Sequence, residues 1–170
     1  MSKGGRGDDR SGRVRVRQEN GGDPVTAEGN KAVVRRLFEE VINPGDLERA
    51  DEWIRADFVE HGPAPGQAPG LEGFKQVNTM LRAAFPDLRL TVEEMVAEGD
   101  RVSVRFTARG THRGEFRGVP PTANRVAWEV ISIVRVAGGK IAERWSQSDA
   151  LGLRQQLGTD DDRFDERSRS

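Results

Sequence analysis

Val126-Ala127-Trp128-Glu129-Val130-Ile131-Ser132-Ile133-Val134-Arg135-Val136, then Ala137-Gly138-Gly139-Lys140, then Ile141-Ala142-Glu143-Arg144-Trp145-Ser146-Gln147-Ser148-Asp149, read as two arms of a β-hairpin around a glycine turn. The first arm alternates apolar and other residues, and Gly138-Gly139 supplies the positive backbone angles that a two-residue hairpin loop needs. With Ala137 facing Lys140, Trp145 lies opposite Ser132, Gln147 opposite Val130 and Asp149 opposite Trp128. One face of the hairpin then carries Trp128, Val130, Ser132, Val134, Val136, Ile141, Glu143, Trp145, Gln147 and Asp149. Glu143 apart, it is apolar near the turn and more polar toward Asp149, as a ligand cavity would be. Ile131, Ile133, Arg135, Arg144, Ser146 and Ser148 fall on the other face, which suits a sheet surface covered by a partner subunit. A slip of one residue would exchange the two faces.

Asp149 is the position of greatest chemical interest in that register. A carboxyl facing an apolar wall is driven by desolvation toward titration near neutral pH, where it can give and take protons. The competing reading is local: Ser148-Asp149 precedes Ala150-Leu151-Gly152-Leu153, so the same carboxylate is placed to cap a final helix.

Upstream of the hairpin the chain has helices first and strands afterwards. Asn30, Val33, Val34, Leu37, Phe38 and Val41 follow helical spacing, and Asn43-Pro44-Gly45-Asp46 ends that helix and opens a shorter one through Trp53. Residues 56–70 read as a Pro/Gly-rich loop containing Phe58, Val59 and His61. A third helix is expected from Leu71 to Phe85, with Phe74, Val77, Asn78, Leu81, Ala84 and Phe85 on one stripe and Pro86 ending it. Leu88 to Glu98 and Arg101 to His112 are strands flanking Gly99-Asp100, and the link 114–124, with Pro120-Pro121, reads as a loop at the sheet rim. Helices segregated from a strongly bent antiparallel sheet make an α+β cone, with the helices on the concave side and a cavity inside.

The chain has 170 residues, and its polar ends leave one domain of roughly 130, enough for a core. Residues 1–25 read as a disordered tail, including the Arg13-Val14-Arg15-Val16-Arg17 alternation; residues 26–158 form the domain, and 159–170 an acidic disordered tail. With 27 basic against 28 acidic side chains there is no electrostatic case for nucleic acid or an anionic membrane. Absence of cysteine removes a disulfide framework and a thiolate nucleophile, and absence of tyrosine removes a phenolic donor. No segment reads as a membrane span or a signal core, so a cytoplasmic location is the expectation. There is no phosphate loop, dinucleotide fingerprint or Gly-x-Ser-x-Gly elbow.

The two histidines, His61 and His112, both fall where they could border one pocket. A neutral imidazole there could relay a proton or hydrogen-bond a carbonyl oxygen; otherwise each is bonded to backbone at a loop. Neither local spacing resembles a metal-ligand motif, so no metal is expected. Asn78 is the polar member of an apolar stripe, and a buried amide bonds either neighbouring backbone or a ligand. Gln147 shares the Asp149 face and is a candidate to orient a substrate oxygen, or lies at a wetted sheet edge.

Several segments, in order, resemble the SnoaL-like polyketide cyclases of the nuclear transport factor 2-like superfamily. They include Asn30 to Val41 with its Asn43-Pro44-Gly45-Asp46 break, Asp57-Phe58-Val59-Glu60-His61, Phe85-Pro86-Asp87 and Gly110-Thr111-His112-Arg113-Gly114-Glu115-Phe116. Gly118-Val119-Pro120-Pro121-Thr122, Gly139-Lys140-Ile141-Ala142-Glu143 and the run from Asp149 to Gly158 continue it, so that about residues 28–158 are covered. The resemblance implies a conical α+β barrel, a homodimer through the outer sheet face, and a cofactor-free pocket for a small hydrophobic, polyketide-like substrate. It also implies that Asp149 is the general acid/base of an intramolecular aldol closure, with His61 and His112 at positions where such sequences often carry histidine. Ser146 and Ser148 give no second strong base beside Asp149. The expected enzyme is thus a cofactor-independent cyclase or isomerase: Asp149 moves the proton, while His112 or His61, with Asn78 or Gln147, holds the enolate oxygen. Phe106, Trp128 and Trp145 form the apolar walls. The alternatives are hydrolysis or hydration, as in the superfamily's epoxide hydrolases, and a non-catalytic dimer that binds hydrophobic ligands.

Overall fold

The computed structural model describes residues 26–158, so the expectations for both tails lie outside the described residues. Helix α1 (Ala27–Arg36) starts at Thr26, whose side chain caps the Gly29 N–H, and runs on as a π-helical turn, Leu37–Ile42. A 3₁₀ turn (Leu47–Arg49) and α2 (Ala50–Trp53) follow. Then come β1 (Ile54–Glu60), α3 (Gly70–Ala84), β2 (Arg89–Glu98), β3 (Arg101–Thr111), β4 (Arg125–Ala137), β5 (Lys140–Ser148) and α4 (Ala150–Gln156). The α+β architecture is as expected, and none of these helices is long and apolar enough to cross a membrane.

The five strands form one curved sheet in the order β1-β5-β4-β3-β2. Strands β2 to β5 are antiparallel neighbours, whereas β1 joins β5 in parallel at the edge. This fifth strand corrects the loop expected from residue 56. Its burial pattern explains the omission: only Ile54 and Phe58 are buried, with charged side chains between them, so no period of two shows.

The hairpin is corrected at one residue. Gly138 and Gly139, at φ +60° and +76°, make the turn, and Ala137 pairs with Lys140 as expected. Val136 pairs with Ile141, but Arg135 then pairs with Glu143, leaving Ala142 as an extra residue in β5. Such a bulge reverses the facing of everything beyond it. Trp145 therefore pairs with Ile133, Ser146 with Ser132, Gln147 with Ile131 and Ser148 with Val130. Along β4 burial alternates strictly, with Val126, Trp128, Val130, Ser132, Val134 and Val136 inward. Arg144, Ser146 and Ser148 thus join the inner face, and Glu143, Trp145 and Gln147 the outer.

The helices cover the inner face, and buried amides hold them in place. Asn43 donates to the Leu90 carbonyl (2.9 Å) and accepts from the Leu90 N–H (2.8 Å), fastening the end of the π turn to β2. Arg82 of α3 donates to the Ile42 and Asn43 carbonyls, and Asn30 to Gly99 at the β2–β3 turn. The core they close runs from Val34, Phe38 and Val41 through Phe74 and Phe85 to Val102, Val104 and Ile141.

Candidate active site

Between these helices and the concave face of the sheet lies a cavity of about 230 Å³. Most of its wall is apolar, including Leu37 and Phe38 from the first helix, Phe74 from α3, Phe106 from β3, Trp128 from β4 and Leu153 from α4. Phe38 and Phe106 meet edge to face at 5.0 Å, which fixes one end. The polar part of the sheet wall is a row that the bulge creates. Arg144, Ser146 and Ser148 descend the inner side of β5, and Ser132 of β4 closes on Ser146 with hydroxyl oxygens 2.6 Å apart.

Arg144 is held by Glu60, its register partner on β1: Nε donates to Oε2 at 2.6 Å and Nη2 to the same oxygen. The guanidinium carbon also stands 5.9 Å from each of the Phe58 and Phe74 rings. Asn78, on α3, reaches the cavity too. Its Nδ2 donates to the Phe74 carbonyl at 2.9 Å, and its Oδ1 accepts no hydrogen bond among the described residues. Backbone bonding and a cavity position, treated as alternatives from sequence, coexist at Asn78.

Asp149 does not face a dry wall. The strand ends at Ser148, and Asp149 is exposed, its Oδ1 accepting from the Gly152 N–H at 2.8 Å as the cap of α4. It does not itself line the cavity, although its neighbours Ser148 and Ala150 do.

The histidines are not brought together. His61 lies on the outer side, stacked on Trp145 at 4.1 Å, with Nε2 2.8 Å from Glu143. The hydrogen bonds from His61 and from Arg135 hold the Glu143 carboxyl below the usual carboxylate range. His112 is fully buried behind the cavity wall, beside Phe85. The Thr122 N–H donates to its Nδ1 (3.3 Å), placing the ring proton on Nε2, which is buried without a hydrogen-bond partner of normal geometry. Burial pushes this imidazole below the ordinary histidine range, and a backbone interaction with Gly114 opposes the shift. Neither histidine lines the cavity. Gln147 and Trp145, expected at the site, are on the outer face for the same one-residue reason, while Phe106 and Trp128 line the wall as expected.

Sequence reasoning did not place Arg144, Ser146 and Ser148 in the cavity wall, nor Glu60 beside Arg144. One signal for them was present: Ile141-Ala142 puts two consecutive apolar residues where strict alternation allows one, and both are buried.

A family profile described as SnoaL-like polyketide cyclase matches residues 32–157. The chain is similar to the aklanonic acid methyl ester cyclase DnrD of Streptomyces peucetius, at 31% identity over 132 residues, covering 74% of this chain and 88% of the relative. It is also similar to the nogalonic acid methyl ester cyclase of Streptomyces nogalater, at 30% identity over 69% of this chain and 89% of that one. Among solved structures, wild-type IdmH from Streptomyces antibioticus superposes with a TM-score of 0.67 at 39% identity, covering 76% of this chain and 99% of that chain.

Proposed function

The chain belongs to the SnoaL-like polyketide cyclase family, and from that membership we propose that it closes a ring within a polyketide-derived acid methyl ester by a cofactor-independent intramolecular aldol reaction. The apolar cavity holds the substrate folded so that its reacting carbons meet, converting part of the barrier into positioning. Asp149, next to the cavity-lining Ser148 and Ala150, removes a proton from a carbon next to a carbonyl. The enolate carbon attacks a second carbonyl of the same molecule, a carbon–carbon bond forms, and the π pair moves onto oxygen. That alkoxide takes the proton back from Asp149, so no co-reactant is consumed. Asn78 and the Ser132–Ser146 pair supply neutral hydrogen bonds to a carbonyl oxygen. His61 and His112 are structural in this reading.

The observation that carries the proposal is the distribution of polarity: an apolar cavity with a polar row down the sheet wall, and a carboxylate on the residue that follows the last member of that row. The test is incubation of the purified protein with the methyl esters of aklanonic and nogalonic acid. An aldol closure gives a product of unchanged mass, without solvent oxygen when run in heavy-oxygen water. Asp149→Asn is expected to lower turnover by roughly two to four orders of magnitude. Full turnover by that variant removes Asp149 from the mechanism, and a hydrated or hydrolysed product replaces cyclisation with the hydrolytic alternative.

A further inference from the structure

Arg144 is placed and partnered in a way that mutual neutralisation with Glu60 does not account for. A guanidinium and a carboxylate that only satisfy each other meet fork to fork, two nitrogens on two oxygens. Here both Nε and Nη2 converge on the single oxygen Oε2 of Glu60. The other oxygen, Oε1, is buried without a partner, on a side chain only 8% exposed. Arg144 has no other hydrogen-bond acceptor among the described residues, so its Nη1 protons are uncommitted. Its side chain is 24% exposed in the cavity wall, with the guanidinium carbon 5.9 Å from the centroids of both the Phe58 and the Phe74 ring. A ligand that fills the cavity expels water from this cation, and a desolvated donor left unpaired is costly. A ligand with an oxygen at that point is therefore favoured over one of the same shape without it.

We propose that Arg144 binds an electron-rich oxygen of the ligand, a phenolate, enolate or polarised carbonyl. Glu60 is the positioning residue that fixes the plane of the guanidinium. Ser146 and Ser148, the next inward residues of β5, face further oxygens along the same edge. This deepens, and rests on, the reading of the cavity as a ring-closure site. It narrows the substrate class to molecules oxygenated along the edge that meets β5, and disfavours hydrocarbon and cationic ligands of equal size. A cation at this point stabilises an enolate more than the ketone it forms from, so the contact strengthens as the reaction proceeds.

Two probes test it on the full-length protein: 1,8-dihydroxyanthraquinone, whose absorption moves to the red when a phenol ionises, and anthracene, of similar shape without oxygen. Bound to the wild type, the hydroxyanthraquinone is expected to ionise roughly one to three pH units lower than in solution, the scale for an acid brought beside a cation. Arg144→Met is expected to remove most of that displacement, any remainder belonging to Arg117 and Arg154, which also line the cavity, and to weaken binding roughly tenfold to a hundredfold, with anthracene binding unchanged. Glu60→Asp, which withdraws the carboxylate by one methylene, is expected to reduce the spectral displacement without changing anthracene affinity. An unaltered spectrum in Glu60→Asp removes Glu60 from the proposal. If both probes bind but Arg144→Met changes neither spectrum nor affinity, Arg144 is overturned and the cavity reading stands. If neither probe binds the wild type, the cavity reading fails first and this inference with it. Should Arg144→Met not fold, the wild-type spectrum decides alone: binding without earlier ionisation overturns the role of Arg144.

Discussion

Asp149 caps α4 and, in the proposed reaction, moves the proton, two tasks that ordinary substitutions separate. Its Oδ1 accepts the Gly152 N–H at 2.8 Å and so starts α4, while the proposed proton transfer uses its place in the chain between the cavity-lining Ser148 and Ala150. Asparagine caps a helix about as well as aspartate but does not serve as a carboxylate base, whereas alanine does neither. In urea denaturation Asp149→Ala is expected to lose roughly 0.5–2 kcal/mol and Asp149→Asn only a few tenths. Equal losses in the two variants would mean that the Gly152 hydrogen bond is not what stabilises α4. The cap was legible in Ser148-Asp149-Ala150, since a short polar residue before an apolar helical run has few other uses. The direction of the carboxylate was not, because it depends on a register set at Ala142, seven residues earlier.

At the level of elements, the glycine turn, the helix break at Asn43-Pro44-Gly45 and the stripe of α3 could be read directly, each having a local cause. The bulge was signalled only by the adjacent apolar pair Ile141-Ala142 and could not be placed from it: alternation is intact on both sides, and pairing with β4 and β1 selects which of the two residues is extra. That one choice moved Trp145 and Gln147 out of the site and Arg144 into it. A different junction gives a pH test of how the helical and sheet layers are joined. Asp87, just past α3, accepts from the Thr111 N–H (2.6 Å) and Thr111 Oγ1 (2.7 Å) at the end of β3. These bonds, the backbone one first, hold its carboxyl below the ordinary aspartate range. A carboxyl whose folded value is depressed stabilises the fold above its unfolded value, and that contribution is lost as pH falls through the folded value. Asp87→Ala is therefore expected to cost roughly 1 kcal/mol at pH 7, modest because the group is exposed. The gap from wild type should close as the pH is lowered below about 4. Denaturation curves at the two pH values decide it, and a gap independent of pH would assign the loss to packing.

For the whole molecule the outer face of the sheet is the remaining unbalanced surface. Ile131 and Ile133 are 52% and 43% exposed at the middle of β4, and Val59 and Val96 are exposed on the two edge strands. The register places Val96, Ser103, Ile133 and Trp145 in one row across four strands, with His61 stacked over Trp145 at the end of it. Charged pairs flank the row: Arg135 with Glu143 at 2.5 Å on one side, and Arg105 with Glu129 at 3.4 Å on the other. An apolar band bordered by both signs of charge can meet its own copy about a two-fold axis, each band covering the other while the flanking charges cross. The occupant this face predicts is a second copy of the chain. Sedimentation of the wild type is expected to give a dimer, and Ile133→Lys, at the centre of the row, a monomer. Because Ile133 lies outside the cavity and outside the core, the Lys variant should keep its circular-dichroism spectrum and still bind anthracene. A wild type that sediments as a monomer at micromolar concentration, or an Ile133→Lys variant that remains dimeric, would place the interface elsewhere.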